Sequence, residues 1–285
     1  MTLKSTIVLF LLDESGSMES SKDHVIDGYN EYISALVKDY KDHPELGEYL
    51  FTLTTFSSDI RQDKKIRTPH NLLSIEDVPT MTSGDYTPNG GTPLYDAIAE
   101  SINSLNSQFS LAEAEALSTD EPKNPLQKLL KKMDARPVDP KEIEYKVLCV
   151  IQTDGMNNSS TTTKAEAKNL IESMEKQGNW TFVFLGAGLA AMSESLSLGM
   201  AAGSSYQYSP DSVGIRARHG SRVAVSHLAE GTSRLRGSSA MSVNKVDGFY
   251  TSADMVSMDA AVEKLVAEDN KSIKEMPSLK RRKKR

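Results

Sequence analysis

Three short segments of the sequence combine glycine with hydroxyl side chains, and two of them also carry acidic side chains, a composition that suits the binding of a hard metal ion. They are Asp13-Glu14-Ser15-Gly16-Ser17, Gly90-Gly91-Thr92-Pro93 and Thr153-Asp154-Gly155. Carboxylate and hydroxyl oxygens without Cys or His are the ligands that Mg²⁺ prefers, about six of them at ~2.1 Å. We therefore predict a Mg²⁺ site, with Mn²⁺ or Ca²⁺ as alternative ions, formed by Asp13, Ser15, Ser17, Thr92 and Asp154.

The elements that must position these residues are two buried strands and a helix. The apolar runs at 7–12 and 145–152 each stop directly before one of the acidic segments, and such runs are typical of strands buried on both faces of a parallel sheet. Thr92-Pro93 precedes a helical pattern over 94–109, and proline is common in the first turn of a helix. Ligands of open parallel sheets bind beyond the carboxyl ends of the strands, where these segments lie.

Strands and helices alternate along the first 210 residues, which predicts an α/β fold with a mostly parallel sheet between two layers of helices. Further strands are predicted at 49–56, around 60–68, at 180–185 and at 206–208, and further helices at 23–40, 164–177, 189–198, 210–230 and 255–268. Residues 231–254 are predicted to be irregular. The Gly-x-Gly-x-x-Ala pattern at 186–191 matches a dinucleotide fingerprint, but no acidic residue ends the next strand, so we interpret it as a tight strand-to-helix turn.

Composition and charge exclude several classes of protein. The chain has 285 residues, a net charge of −6 and one cysteine, Cys149, so an internal disulfide framework and an all-cysteine zinc site are excluded. The last six residues are all basic, so the rest is more acidic than −6 and is a poor general binder of nucleic acid. This basic tail comprises Lys280, Arg281, Arg282, Lys283, Lys284 and Arg285. It has three interpretations: a solvated chain end, a binding segment for nucleic acid or an acidic partner, or a nuclear-import cluster.

The three motifs together resemble the von Willebrand factor A (VWA) domain family. Asp-x-Ser-x-Ser after an apolar first strand, Gly-Thr-Pro-Leu at a helix start and Thr-Asp-Gly after a later apolar strand are similar to the metal-ion-dependent adhesion site (MIDAS) of that family. The resemblance covers residues 1–210, about three quarters of the chain. Two features depart from the common pattern: Glu14 at the variable position of the first motif, and a long insert at 110–142.

This resemblance implies a three-layer, Rossmann-like fold and a non-enzymatic, metal-dependent protein-binding module. In the ligand-ready state of such sites, hydroxyls contact the metal and carboxylates act partly through water, so an open coordination position attracts an Asp or Glu of a partner. For this chain, the resemblance implies a VWA-like domain at 1–210 with a surface insert at 110–142. A mostly helical extension at 211–279 and the basic tail at 280–285 would follow.

Two other functions remain open at this point. Asp13 and Asp154 could serve a Mg²⁺-dependent phosphohydrolase, or the metal site could be vestigial in a scaffold that binds through its C-terminal extension. No Gly-x-x-x-x-Gly-Lys-Ser/Thr loop occurs, so the chain is not itself a P-loop ATPase. The apolar run at 7–12 is too short for a signal peptide and no run approaches ~20 residues, so we expect a cytoplasmic protein without a membrane span, with the nucleus as an alternative.

Overall fold

The first apolar run forms the central strand of a six-stranded sheet. The computed structural model describes residues 3–59, 63–116, 143–208, 215–243 and 248–275. The strands are β1 (Leu3–Asp13), β2 (Glu48–Phe56), β3 (Ile66–Ser74), β4 (Ile143–Thr153), β5 (Trp180–Ala187) and β6 (Ser205–Tyr208). Their order is β3-β2-β1-β4-β5-β6, and every neighbouring pair is parallel except β2 and β3. The predicted α/β class is therefore confirmed.

The edge strand β3 differs from the prediction. It begins at Ile66 and runs to Ser74, whereas the sequence suggested a strand around 60–68. The link from Phe56 to Ile66 is too short for a crossover helix, so the chain turns back and pairs antiparallel with β2. Ile66 and Leu72 supply its buried apolar side chains, and Pro69 is tolerated because the strand lies at the edge.

Each of the central strands divides its apolar side chains between the two faces of the sheet. In β1, Val8, Phe10 and Leu12 enter one apolar cluster, while Ile7, Leu9 and Leu11 enter the other. The first cluster is covered by α1 (Lys22–Asp42), α5 (Ile215–Gly237) and α6 (Ser252–Glu275). The second is covered by α2 (Leu94–Ala116), α3 (Lys164–Lys176) and α4 (Gly188–Ser197). The result is the predicted three-layer arrangement.

The C-terminal helices are longer than the sequence suggested. Helix α5 ends at Gly237, so residues 231–237 are helical and not irregular. Side chains in its last two turns form hydrogen bonds with α1, and the sequence pattern does not reveal these contacts. The side chain of Arg236 bonds Asp39 of α1, and Tyr32 and Thr232 share a 3.0 Å hydrogen bond between α1 and α5. These long-range contacts hold the helix in register where propensity alone does not.

The extension and the first 210 residues share one apolar cluster. Val225, Leu228 and Leu235 of α5 belong to the same cluster as Phe10 of β1. A polar contact also joins the sheet to α5. The ammonium group of Lys146 in β4 donates to the carbonyl oxygens of Leu235 (2.7 Å) and Ser238 (2.5 Å) at the end of that helix. The domain boundary near residue 210 stays a prediction, but packing is continuous across it.

Two other expectations concern α2 and α4. Helix α2 begins at Leu94 as predicted and continues to Ala116, into the predicted insert at 110–142, while residues 117–142 of that insert lie outside the described residues. The tail at 280–285 also lies outside them.

The turn at Gly186 is confirmed as a close strand-to-helix contact, because a Cβ there would lie 2.8 Å from the Cβ of Ala191. Within the described ranges, no helix is long and apolar enough to cross a membrane.

Candidate metal centre

The end of β1 folds into a tight polar turn around the carboxylate of Asp13. The backbone N–H of Ser15 donates to Asp13 Oδ1 at 2.7 Å, as is common for an Asp that opens a turn. The hydroxyl oxygens of Ser15 and Ser17 then lie 3.1 Å apart. The alternating positions of the motif thus place three oxygen-bearing side chains along one side of the turn.

The neighbouring strand β4 closes this turn from the other side. Thr153, the last residue of β4, donates its hydroxyl to Asp13 Oδ2 at 2.6 Å. The hydroxyl of Ser17 donates to Asp154 Oδ1 at 2.7 Å. Four of the five predicted residues are therefore joined by a continuous run of contacts, from the buried Asp13 to the exposed Ser17 and the half-buried Asp154.

Thr92, the fifth predicted residue, is buried beside the same loops. Its N–H donates to Asn158 Oδ1 (2.7 Å), and the N–H of Asn158 donates to its carbonyl oxygen (3.1 Å). Its hydroxyl lies 3.9 Å from the position that a Cβ would take on Gly155, the residue after Asp154. Ser160, and not Thr92, accepts the first N–H groups of α2, which leaves the Thr92 hydroxyl for the site.

A glycine at position 90 is required for the second loop to meet the first. Gly90 has a φ of +78°, and a Cβ there would lie 2.5 Å from the backbone nitrogen of Asp59. Its carbonyl oxygen accepts the N–H of Gly16 at 2.9 Å. Any larger residue would strain the backbone and collide with Ser58 and Asp59 after β2, which would move the loop that carries Thr92.

The electrostatics of the site favour a cation. Burial raises the pKa of Asp13 to about 6, against the opposing effect of the hydrogen bonds from Thr153 and Ser15, and the charge of Asp154 raises it further. Burial also raises the pKa of Asp154, opposed by the hydroxyl of Ser17. Neither carboxylate forms an ion pair with a basic side chain in the described part of the chain. Two crowded carboxylates among neutral hydroxyls fit a hard divalent ion, since buried charge requires a counter-charge.

Glu14, at the variable position of the first motif, has a role that the sequence did not suggest. Its side chain is fully buried and accepts the N–H (2.7 Å) and hydroxyl (3.2 Å) of Thr87, and Arg67 of β3 forms a salt bridge with it. Its backbone N–H donates to Phe56 at the end of β2, and its carbonyl oxygen accepts the N–H of Asn89. Glu14 therefore fastens the first loop to β2, β3 and the second loop.

Replacing Glu14 with glutamine is expected to destabilise the fold by about 2 kcal/mol, the typical worth of a charged hydrogen bond, because Arg67 loses its buried counter-charge. Urea unfolding measures the change. Glu19→Gln removes an exposed glutamate from the same loop region and should stay within about 0.5 kcal/mol of the parent. Equal stability of the Glu14→Gln and Glu19→Gln variants would contradict this role.

Asn158 was also missed, and the sequence offers little to identify it. It lies within a polar run, 155–163, that looks like an ordinary surface loop. Its importance comes from contact with Thr92, which is 66 residues away in the chain. Similarly, the salt bridge of Glu14 joins residues 53 positions apart. Residue type and local spacing do not report such pairs.

Comparisons with known proteins identify similar folds but no close relative. No protein-family model matches the sequence, and no curated protein matches it. Among solved structures, a von Willebrand factor type A protein from Catenulispora acidiphila is 14% identical with a TM-score of 0.45, covering 81% of this chain and 43% of that one. Proximal thread matrix protein 1 from the mussel byssus is 14% identical with a TM-score of 0.43, covering 82% of this chain and 47% of that one.

Two of the similar structures contain metal. A structure of the mussel protein has zinc in its MIDAS motif, and a manganese-loaded TRAP protein of Plasmodium vivax is 15% identical, with a TM-score of 0.41, covering 74% of this chain and 70% of that one. The chain spans about half the length of the mussel protein. Solved VWA domains are thus among the chain's structural neighbours, while the candidate metal centre rests on the geometry of its own residues.

Proposed function

We propose that this chain is a non-enzymatic, divalent-metal-dependent protein-binding module. Asp13, Ser15, Ser17, Thr92 and Asp154 would hold the metal, with Mg²⁺ as the expected ion and Mn²⁺ or Ca²⁺ as alternatives. The observation that carries the proposal is the run of hydrogen bonds that leads from the fully buried Asp13 carboxylate through Ser15 and the exposed Ser17 to Asp154. Such a set supplies hard oxygen ligands from three loops at one edge of the sheet.

The partner we propose is a protein that presents an Asp or Glu. Three of the five candidate ligands are neutral hydroxyls, so a bound divalent ion would keep positive charge and attract a carboxylate. Two exposed apolar side chains, Met156 and Leu189, follow the paired ends of β4 and β5, where Thr153 lies opposite Gly186. Exposed apolar side chains next to a charged site suit contact with a protein.

The phosphohydrolase alternative has less support from the geometry. A nucleophilic aspartate must reach its substrate, but the Asp13 side chain is fully buried and both its oxygens accept hydrogen bonds, from Ser15 and Thr153. The arrangement suits an aspartate that shapes a binding site. The scaffold alternative, with binding through the C-terminal extension, is separated from the proposal by the experiment below.

A pull-down comparison tests the proposal. The full chain is used as bait with Mg²⁺, with excess EDTA, and as the Asp154→Ala variant, and we expect specific partners to be lost in the last two conditions. Asp85→Ala is the matched control, because Asp85 is an exposed loop aspartate that bonds Thr82 in its own turn. Partners that persist in EDTA and with Asp154→Ala would contradict the proposal. Their loss on removal of α6 alone would support the scaffold.

A further inference from the structure

A second group of metal-ligating side chains lies between α5 and α6, on elements that contribute nothing to the candidate metal centre. His227 and Glu230 are three residues apart on α5, and Asp254 lies in the first turn of α6. One ligand atom from each lies within 4.8 Å of the others. His227 Nδ1 is 3.4 Å from Glu230 Oε2 and 4.0 Å from Asp254 Oδ1. The three side chains therefore converge on one point.

The nitrogen at the centre of this group lacks a hydrogen-bond partner. The imidazole of His227 is 13% exposed, and its Nδ1 atom is buried without a hydrogen bond to any residue that the structure describes. Buried polar atoms are rarely left in this state, because an unsatisfied one costs about 1–3 kcal/mol. Two carboxylates flank the nitrogen, so a metal ion is a group that would complete its bonding and balance the nearby charge.

The carboxylate of Asp254 is held mainly through one oxygen, which leaves the other facing His227. Its Oδ2 atom accepts the N–H of Thr251 and a guanidinium hydrogen of Arg234, both at 2.8 Å. Its Oδ1 atom accepts a longer hydrogen bond, 3.4 Å, from the other Arg234 nitrogen and lies 4.0 Å from His227 Nδ1. Burial raises the pKa of Asp254, but the bonds from Thr251 and the charge of Arg234 hold it below its usual value. Carboxylates that bind metals are commonly oriented by such hydrogen bonds.

We propose that His227, Glu230 and Asp254 form a second divalent-cation site, of the zinc class, that clamps α6 to α5. One imidazole nitrogen and two carboxylates are a donor set that Zn²⁺ accepts, at about 2.0–2.2 Å in tetrahedral geometry, with the fourth position left to water. Ligands at those distances lie roughly 3.4 Å apart, close to the His227–Glu230 separation of 3.4 Å. All three ligand atoms lie within 4.8 Å of one another. Glu230 is exposed, so its side chain can move closer to Asp254 without disturbing the core.

This second site would differ from the candidate metal centre in the metal ion that it prefers as well as in its location. An imidazole ligand selects transition metals such as zinc, whereas the all-oxygen set near Asp13 selects hard ions such as Mg²⁺. The two sites share no residue. Metal binding at one site can therefore be removed by substitution while binding at the other is measured.

Zinc titration calorimetry on the full-length Asp13→Asn variant, which lacks a key ligand of the first site, tests the proposal. We expect one equivalent of Zn²⁺ to bind and His227→Gln in the same background to weaken that binding about 100-fold. His43→Gln is the matched control, because His43 Nδ1 also lies near a glutamate, 3.5 Å from Glu45 Oε1, but in an exposed pair that belongs to no three-ligand group among the described residues. The control should bind zinc like the parent.

Glu230→Gln provides a second variant whose folding is not in question, because Glu230 is exposed, and it should weaken zinc binding about 10-fold. Substitution with Co²⁺ should give visible absorption typical of a tetrahedral site, which Glu230→Gln diminishes. Absence of zinc binding in the Asp13→Asn background, or equal binding in its His227→Gln derivative, would overturn the proposal.

Discussion

Replacing Asp13 with asparagine is expected to weaken divalent-cation binding at least about 100-fold and, without metal, to stabilise the folded chain at neutral pH. The two effects have one cause. The carboxylate is fully buried, so it supplies charge that a cation needs and that the metal-free fold must carry uncompensated. Asparagine keeps an oxygen for the N–H of Ser15, and the hydroxyl of Thr153 can turn to accept.

The pH dependence of the parent follows from the pKa of Asp13. Folding raises this pKa from 3.8 to about 6, so the charged form costs the metal-free fold on the order of 3 kcal/mol above pH 6. That cost disappears as the pH falls from about 6 to below 4. Protons also compete with the cation, so metal affinity should fall below about pH 6. The Asp13→Asn variant should lose this contribution to both profiles.

Calorimetric titration with Mg²⁺ and urea unfolding in EDTA measure the two effects separately. Asp63→Asn, which removes an exposed aspartate between β2 and β3, should alter neither. Undiminished metal affinity in Asp13→Asn would show that Asp13 is not a ligand or a positioning group. Lower stability of the metal-free variant at neutral pH would contradict the argument from buried charge.

Replacing Arg236 with methionine is expected to destabilise the fold by about 3–5 kcal/mol, the range found when one partner of a buried ion pair is removed. The side chain of Arg236 is fully buried and bonds the Asp39 carboxylate at 2.7 Å. It also donates to the carbonyl oxygens of His43 (2.9 Å) and Gly47 (2.6 Å) and lies over the ring of Tyr49 at 4.5 Å. Methionine fills much of the volume but satisfies none of these acceptors.

Urea unfolding of Arg236→Met should be compared with that of Arg222→Met, since both arginines lie on α5 and pair with an acidic residue of α1. Arg222 and Glu31 are 2.9 Å apart but are 50% and 45% exposed, so their pair is worth at most about 1 kcal/mol. A large difference between the variants is expected because only Arg236 leaves buried partners unpaired. Similar losses for both would show that the burial of Arg236 is unimportant.

The sequence predicts the parts of this molecule that depend on local pattern. The apolar runs of β1 and β4 identify the two central strands, and the residues that follow them identify four of the side chains that contact one another at the site. The position of Thr92 follows from the helix start at Leu94. Hydrophobic runs and turn residues report local structure, and adjacent parallel strands bring their ends together without further information.

The contacts that fix these parts in place depend on long-range register, which local pattern does not contain. Arg236 looks like one more charge near a helix end, yet it is buried against Asp39, 197 residues earlier. Glu14 stands at the variable position of its motif, yet its side chain joins two loops and an edge strand. Such ion pairs become visible only when both partners have been placed in three dimensions.

Lys146 ties the end of α5 to β4, the strand that leads to Asp154. Its ammonium group, buried within β4, is satisfied by carbonyl oxygens at the end of α5, including that of Leu235. A fragment that ends near residue 210 would keep the recognisable motifs but would lack the carbonyl oxygens that this ammonium group donates to, and it would expose the apolar cluster that α5 covers. Residues 215–243, supplied as a separate peptide, should restore the contact between Lys146 and Leu235. The two pieces would then complement each other, as the fragments of a split protein do.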